Sequence, residues 1–290
     1  MRKWEIMNLS NRLWELINPY QNILRLSATV VSFVFALLPD NVSNIIKIYP
    51  YCSDYINAIC FKVILAVIIG VFVCLFLNIL RHFCSSRLIN GRNYSIRVQY
   101  GNLFDEKNNG KIVIPFDECF TVLVDDNDPG AINSKSICGQ YLKANSLNSS
   151  VMIELIHKAG LRSMQEKSRY KGKVCYETGS IVPKGKWLLL AFSKIDESGR
   201  ARMSYDDYVK TLKRLWCELD RYYGQKDIYI PILGSGTTRI DGYNYTKQEL
   251  LDIIIGTYKL SPYKLKLPNK LHIICENNGD ISLTKIGKSI

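Results

Sequence analysis

The sequence predicts an α/β protein: a two-helix transmembrane hairpin followed by a mixed-sheet, three-layer α/β/α domain. Three observations predict it. Residues 60–80 read CFKVILAVIIGVFVCLFLNIL, with no charge between Val63 and Leu77. From Tyr94 onward, short β-rich runs alternate with segments of helical periodicity. Among those runs, Lys186–Ser193 (KWLLLAFS) is almost continuously apolar, as in a strand buried on both faces.

The membrane segments come first. A helix rises 1.5 Å per residue, so about 18–20 residues span a hydrocarbon core of about 30 Å. Residues 60–80 meet that length without a polar face. Ile23–Leu38 (ILRLSATVVSFVFALL) is shorter, carries Arg25 and stops at Pro39-Asp40. A cleaved signal peptide needs a small-residue cleavage site after its apolar run, and Leu-Leu-Pro-Asp is not one. Arg2, Lys3 and Arg12 precede the first segment; Arg81, Arg87, Arg92 and Arg97 follow the second, with no acid before Asp105. The loop between them has Asp40, Lys47 and Asp54. The positive-inside bias predicts that both termini are cytoplasmic, with a short loop of about 20 residues outside. Lys62 then snorkels to the interface. The expected organisation is a cytoplasmic segment over residues 1–22, the hairpin over 23–80, a basic linker over 81–94 and the α/β domain over 95–290.

In that domain, Ser95–Tyr100 and Lys111–Pro115 are expected strands, and Ser136–Lys143 and Ser149–Ala159 expected helices. Ser204 N-caps a long helix with Asp206 and Asp207 in its first turn and Gly224 after its end. Its apolar positions, from Tyr205 through Leu212, Trp216 and Leu219 to Tyr223, fall at helical spacing and form core. Asp227–Leu233 is another strand. Thr246-Lys-Gln-Glu249 is a capping box opening LLDIIIGTYKL, and Leu271–Cys275 is a last buried strand.

Composition narrows the functions. The net charge is +12, of which residues 1–92 supply +5 and residues 93–290 supply +7. A basic chain suits nucleic acid or an anionic membrane surface. The sequence shows no recognition helix of clustered Lys and Arg, so nucleic acid is not an expected partner. Nine scattered cysteines without a C-x-x-C pair exclude an ordinary zinc site and fit a reducing compartment. His82, His157 and His272 are the only histidines, none beside a candidate nucleophile. No metal, cofactor or catalytic residue is expected.

Three loops could carry chemistry. Gly234, Ser235, Gly236, Thr237, Thr238 and Arg239 directly follow the strand IYIPIL. Open α/β sheets bind ligands at strand carboxyl ends, and successive backbone N–H groups there can cradle phosphate oxygens. The loop is neither a P-loop nor a dinucleotide fingerprint, and an ordinary Gly/Ser turn is the competing reading. Asn102, Leu103 and Phe104 close the strand Ser95–Tyr100, where a side-chain amide could read a base edge. Pro115 and Phe116 lead through Asp125-Asp126 to Ser136, Cys138, Gly139 and Gln140, where Ser136 caps a helix whose N–H groups could face a ligand. Asp125-Asp126 could hold a cation but more often is solvated.

In this order (Gly-Asn-Leu-Phe, I-V-I-P-F-D-E-C-F-T-V-L-V-D-D, S-I-C-G-Q-Y, Y-E-T-G-S-I-V, K-W-L-L-L-A-F-S, I-P-I-L-G-S-G-T-T-R) the segments resemble the macro domain of membrane effectors of bacterial Thoeris anti-phage defence. The resemblance covers about residues 95–276, and the paired apolar segments match that architecture. It implies a macro-like fold that binds ADP-ribose-type nucleotides. Asn102, Leu103 and Phe104 take the position of the adenine-reading Gly-Asp-Ile loop. Gly234 to Arg239 take that of the diphosphate loop, and Ser136, Cys138, Gly139 and Gln140 line the distal ribose. Asn102 stands where the family has Asp, and Cys138 where His is expected. The Asn-Ala-Ala-Asn strand and Gly-Gly-Gly loop of hydrolytic macro domains are absent, which favours sensing over hydrolysis. The resemblance further implies a TIR-domain partner that makes an ADP-ribose conjugate, such as histidine–ADP-ribose, followed by homo-oligomerisation, membrane disruption and cell death or growth arrest. A membrane-anchored ADP-ribosyl hydrolase and a ligand-free membrane scaffold are the alternatives.

Overall fold

The computed structural model describes residues 20–37, 53–82, 86–105 and 108–287. The expected cytoplasmic segment before Tyr20 and the loop over 38–52 lie outside the described residues. The chain divides into two compact units, Met1–Arg87 and Leu88–Ile290.

The first unit holds helix α1 (Tyr20–Leu37) and helix α2 (Asp54–His82), which touch one another. Within α2, Tyr55–Phe76 has a mean hydropathy of 3.0, and its large apolar side chains, from Ile59 and Val63 to Phe72 and Phe76, are exposed. Among the described residues it is the one helix long and apolar enough to cross a membrane. The apolar part of α1 is shorter, Ser27–Ala36, because Arg25 and the polar turn before it interrupt the run. An exposed apolar helix loses the burial that holds a soluble helix in place, so α2 needs lipid or another apolar partner.

The second unit is a nine-stranded sheet. Its strands are β1 (Ser86–Asn90), β2 (Ser95–Tyr100), β3 (Lys111–Asp117), β4 (Ile181–Lys184), β5 (Trp187–Ile195), β6 (Ala201–Met203), β7 (Ile228–Pro231), β8 (Arg239–Ile240) and β9 (Leu271–Cys275). They lie in the order β1-β2-β9-β7-β3-β5-β6-β8, with β4 beside β5. The central run β2-β9-β7-β3-β5 is parallel throughout; β4 and β6 run antiparallel to β5. Part of the expected linker over 81–94 lies in regular elements. Arg81 and His82 still belong to α2, and Ser86–Asn90 is the edge strand of the sheet. Pairing with β2, and not local pattern, makes SRLIN a strand. Gly91 closes the connection, since a Cβ there would lie 2.1 Å from the Tyr94 ring.

Helices α3 (Ile137–Asn145) and α4 (Ser149–Lys158) cover one face; α5 (Tyr205–Tyr222) and α6 (Lys247–Leu260) cover the other. The alternation of β5 explains its apolar run: Leu188, Leu190 and Phe192 enter the α5–α6 core, and Leu189 and Ala191 the α3–α4 core. Trp216 of α5 meets Tyr258 of α6 edge-on at 5.0 Å, a ring pair worth about 0.5–1.5 kcal/mol beyond its buried area. Its indole N–H donates to Thr257 Oγ1 at 3.2 Å. Ser204 caps α5 as expected, and Thr246 and Glu249 form the full capping box on α6. Because the central strands are parallel, the loops after β3, β5 and β7 emerge at one edge.

Candidate functional site

A cavity of about 760 Å³ opens at that edge. Its floor is the carboxyl ends of β3, β5 and β7, with Pro115 and Phe116 from β3, Phe192 and Ser193 from β5, and Pro231 from β7. A volume in this range accommodates a nucleotide-sized ligand.

The loop after β7 forms one wall. Gly234 takes φ +85°, which lets the chain turn sharply off the strand. Ser235 folds its hydroxyl back onto the Ile232 carbonyl at 2.6 Å, and Tyr208 Oη donates to the Leu233 carbonyl at 2.9 Å from the core beneath. These bonds fix the loop's base. Beyond it, no acceptor among the described residues takes the N–H groups of Gly236, Thr237 and Thr238. Three successive unused donors at a concave surface are an anion nest. Arg239 follows on β8, exposed and without an ion-pair partner among the described residues. Its neighbour across the strand pair, Arg202, is instead bound to Asp241.

The segment between β3 and α3 forms the opposite wall. Asp117, at a β-bulge, accepts from the N–H groups of Cys119 at 2.7 Å and Thr121 at 3.3 Å. Burial pushes its carboxyl above the usual range, against the pull of those hydrogen bonds. Asp126 accepts from the N–H and hydroxyl of Ser134, which hold its carboxyl below the usual range. Asp128 is held low by the Gly130 N–H, and it also accepts from Tyr170 Oη at 3.2 Å. Asp125 and Asp126 therefore organise a loop, and among the described residues no cluster of His, Cys, Asp and Glu is arranged to hold a metal.

Tyr170 closes this wall from behind. A Cβ at Gly130 would lie 1.9 Å from its ring, and one at Gly199 would lie 3.0 Å from it. Both glycines border the cavity, and the ring fits because neither has a side chain.

Ser136 N-caps α3. Its Oγ accepts from the Gly139 N–H at 3.0 Å and donates to the Asn133 carbonyl at 2.7 Å. The hydroxyl lines the cavity but is already engaged. Cys138 lies on the cavity wall almost wholly buried, and burial drives its thiol well above the ordinary value, so it presents a neutral S–H. Gln140, also on the lining, donates its amide N–H to the Lys135 carbonyl at 2.9 Å. Gly139 is buried under the loop rather than on the surface; a Cβ there would lie 2.2 Å from the Asn133 carbonyl oxygen.

The structure thus brings Pro115, Phe116, Ser136, Cys138, Gln140 and the whole Gly234–Arg239 loop to one cavity. Asn102, Leu103 and Phe104 do not line it. Asn102 Oδ1 accepts from the Phe104 N–H at 2.9 Å, Leu103 is buried in the α3–α4 core, and Phe104 packs on Trp187. The cavity also takes Ser193, Gly199, Arg200, Lys247 and Glu276, which sequence reasoning missed. The turn Asp-Glu-Ser-Gly before Arg200 was a visible loop signal, with Gly199 at φ +82°. Lys247 and Glu276 reach the site from the first turn of a helix and the end of an inner strand, which no local pattern announces.

Fold and site together define a ligand-binding α/β domain with an anion nest at its strand carboxyl ends. Residues 96–276 match the family described as "Thoeris protein ThsA, Macro domain". The chain belongs to that family, and with it to anti-phage defence. A Thoeris protein ThsA from Bacillus amyloliquefaciens (strain Y2) is 27% identical over 255 residues, covering 84% of this chain and 82% of that protein. A solved macrodomain mutant from Oceanobacillus iheyensis superposes at a TM-score of 0.43 with 13% identity, over 70% of this chain and 95% of that one.

Proposed function

We propose that the domain is a non-catalytic sensor of an ADP-ribose-type signal. The carrying observation is the nest: the N–H groups of Gly236, Thr237 and Thr238 with no acceptor among the described residues, and Arg239 beside them. Such a site holds a diphosphate by charge-assisted hydrogen bonds. Catalysis has less support. The Cys138 thiol is buried and neutral, Asp117 is engaged by two backbone N–H groups, and no histidine lines the cavity. Asp125 and Asp126 on the lining suit a distal group bearing an amine, as in histidine–ADP-ribose. A TIR-domain enzyme would supply it from NAD.

In this reading α2 anchors the protein in the bacterial inner membrane and α1 completes a hairpin with both termini cytoplasmic. Ligand binding favours a homo-oligomer in which the hairpins gather and breach the bilayer, ending in cell death or growth arrest. Only a ligand that binds the assembled state more tightly can shift the balance, and moving it from 1:99 to 99:1 takes about 5.5 kcal/mol of differential affinity.

The test is calorimetry on residues 86–290, which keep the edge strand and both cores. The fragment is titrated with ADP-ribose and then histidine–ADP-ribose, and the products are analysed by chromatography. Binding of intact ligand supports the sensor. Release of free ADP-ribose from the conjugate replaces it with a hydrolase, and absence of any binding removes the nucleotide assignment.

A further inference from the structure

We propose that the segment between α4 and β4 is a docking element for an anionic lipid surface. Ser163 pairs with Tyr176, the Met164 N–H reaches the Cys175 carbonyl at 2.9 Å, and the Ser168 N–H reaches the Lys173 carbonyl at 2.9 Å. The segment therefore folds back on itself as a hairpin. Its tip is Tyr170-Lys171-Gly172-Lys173, with φ +53° at Lys171 and +58° at Gly172. Two successive left-handed residues are the geometry of a tight hairpin turn.

The charge of the domain is concentrated here. From Lys158 to Lys173 the chain carries Lys158, Arg162, Lys167, Arg169, Lys171 and Lys173 against Glu166 alone, a net +5. That is five of the seven net positive charges of residues 93–290. Among the described residues none of the six cations has a carboxylate within ion-pair distance, and all but Lys173 are exposed. Lys171 and Lys173 hold their ammonium groups 4.8 and 5.4 Å from the centre of the Tyr170 ring, which keeps them together.

Two features favour lipid over other polyanions. Met164 and Val174, on the two arms, are 41% and 52% exposed, and apolar side chains beside cations suit a headgroup–acyl boundary. The one aromatic ring of the tip has its hydroxyl on Asp128 and the Lys171 and Lys173 ammonium groups over it, which disfavours stacking by a base. Basic residues near an anionic leaflet act additively over about a Debye length. The biological setting rests on the membrane reading of α2; the surface chemistry does not.

Residues 86–290 are floated with vesicles of phosphatidylcholine alone or with 30% phosphatidylglycerol. Capture by the anionic vesicles only, lost in high salt, is expected. The double variant Lys167→Glu, Arg169→Glu should lose at least tenfold in vesicle affinity, whereas Lys226→Glu, Lys259→Glu, with the same charge change elsewhere, should stay within about twofold. Thermal unfolding confirms that both variants fold. Equal loss in the two variants overturns the proposal, as does equal capture by both vesicle types. So does no capture at all, or capture by a DNA oligonucleotide alone. Carbonate extraction of the full chain from membranes tests α2 separately, so its failure is distinguishable from failure of the hairpin.

Discussion

Gly236→Ala separates a glycine the fold needs from one a ligand needs. A Cβ at Gly236 meets nothing within 4 Å, and the residue is not among those with positive φ. Alanine should therefore be neutral for folding or stabilise it by about 0.4–1 kcal/mol, because it restricts the unfolded chain. Gly234 is the contrast. Its φ is +85°, and a Cβ would sit 3.4 Å from the Tyr208 ring and 3.5 Å from Ile240. Gly234→Ala should destabilise by about 1–2 kcal/mol. In binding the order reverses in interest. A methyl group on the nest keeps an anion from the N–H groups behind it, and losing one charge-assisted hydrogen bond costs about 1.5–3 kcal/mol. That is a rise of roughly 10- to 150-fold in Kd. Urea unfolding and calorimetry with ADP-ribose on residues 86–290 read the two effects. A stable Gly236→Ala variant with unchanged affinity refutes the nest, and a destabilised one refutes the assignment of open space.

Other perturbations follow from the same geometry. Arg239→Ala removes an exposed cation that has no ion-pair partner among the described residues, so affinity should fall about tenfold while Tm stays put. Thr246→Ala breaks the capping box on α6 and should cost about 1 kcal/mol in urea unfolding. Gly130→Ala drives a methyl into the Tyr170 ring and should cost about 1–3 kcal/mol, relieved by Tyr170→Ala in the double variant. Asp117 has a folded pKa raised by burial, so its favourable contribution is full below the ordinary carboxylate pKa and is lost as pH rises through the raised value. Asp117→Asn keeps the acceptor oxygen. Its stability relative to the parent should climb from pH 4 upward and then level off, and a flat difference in pH-dependent urea unfolding excludes the raised pKa.

Elements with strong local signals were legible in the chain. Ser95–Tyr100 and Leu271–Cys275 match their strands end to end, and the caps at Ser136, Ser204 and Thr246 match their helices. The strands that escaped, β1, β4, β6 and β8, are short edge or antiparallel pieces whose conformation comes from the neighbour they pair with. The site divides the same way. Gly234–Arg239 announced itself by glycines after a buried strand. Asn102 also followed a strand, yet its amide turns back onto its own backbone, because a short polar side chain in a turn bonds locally first. Gly139 read as a ligand contact but is required by the close approach of the Asn133 carbonyl.

The Tyr170 ring, seated against Gly130 and Gly199 with its hydroxyl on Asp128, makes the cavity wall and the basic hairpin one mechanical body. A ligand that shifts the Asp128–Gly130 turn has to carry the hairpin with it or break that hydrogen bond. The message can then leave the site without any helix moving. Amide hydrogen exchange at Ser168 and Lys173, whose N–H groups close the hairpin, should slow when the cavity is filled and cease to respond in Tyr170→Ala.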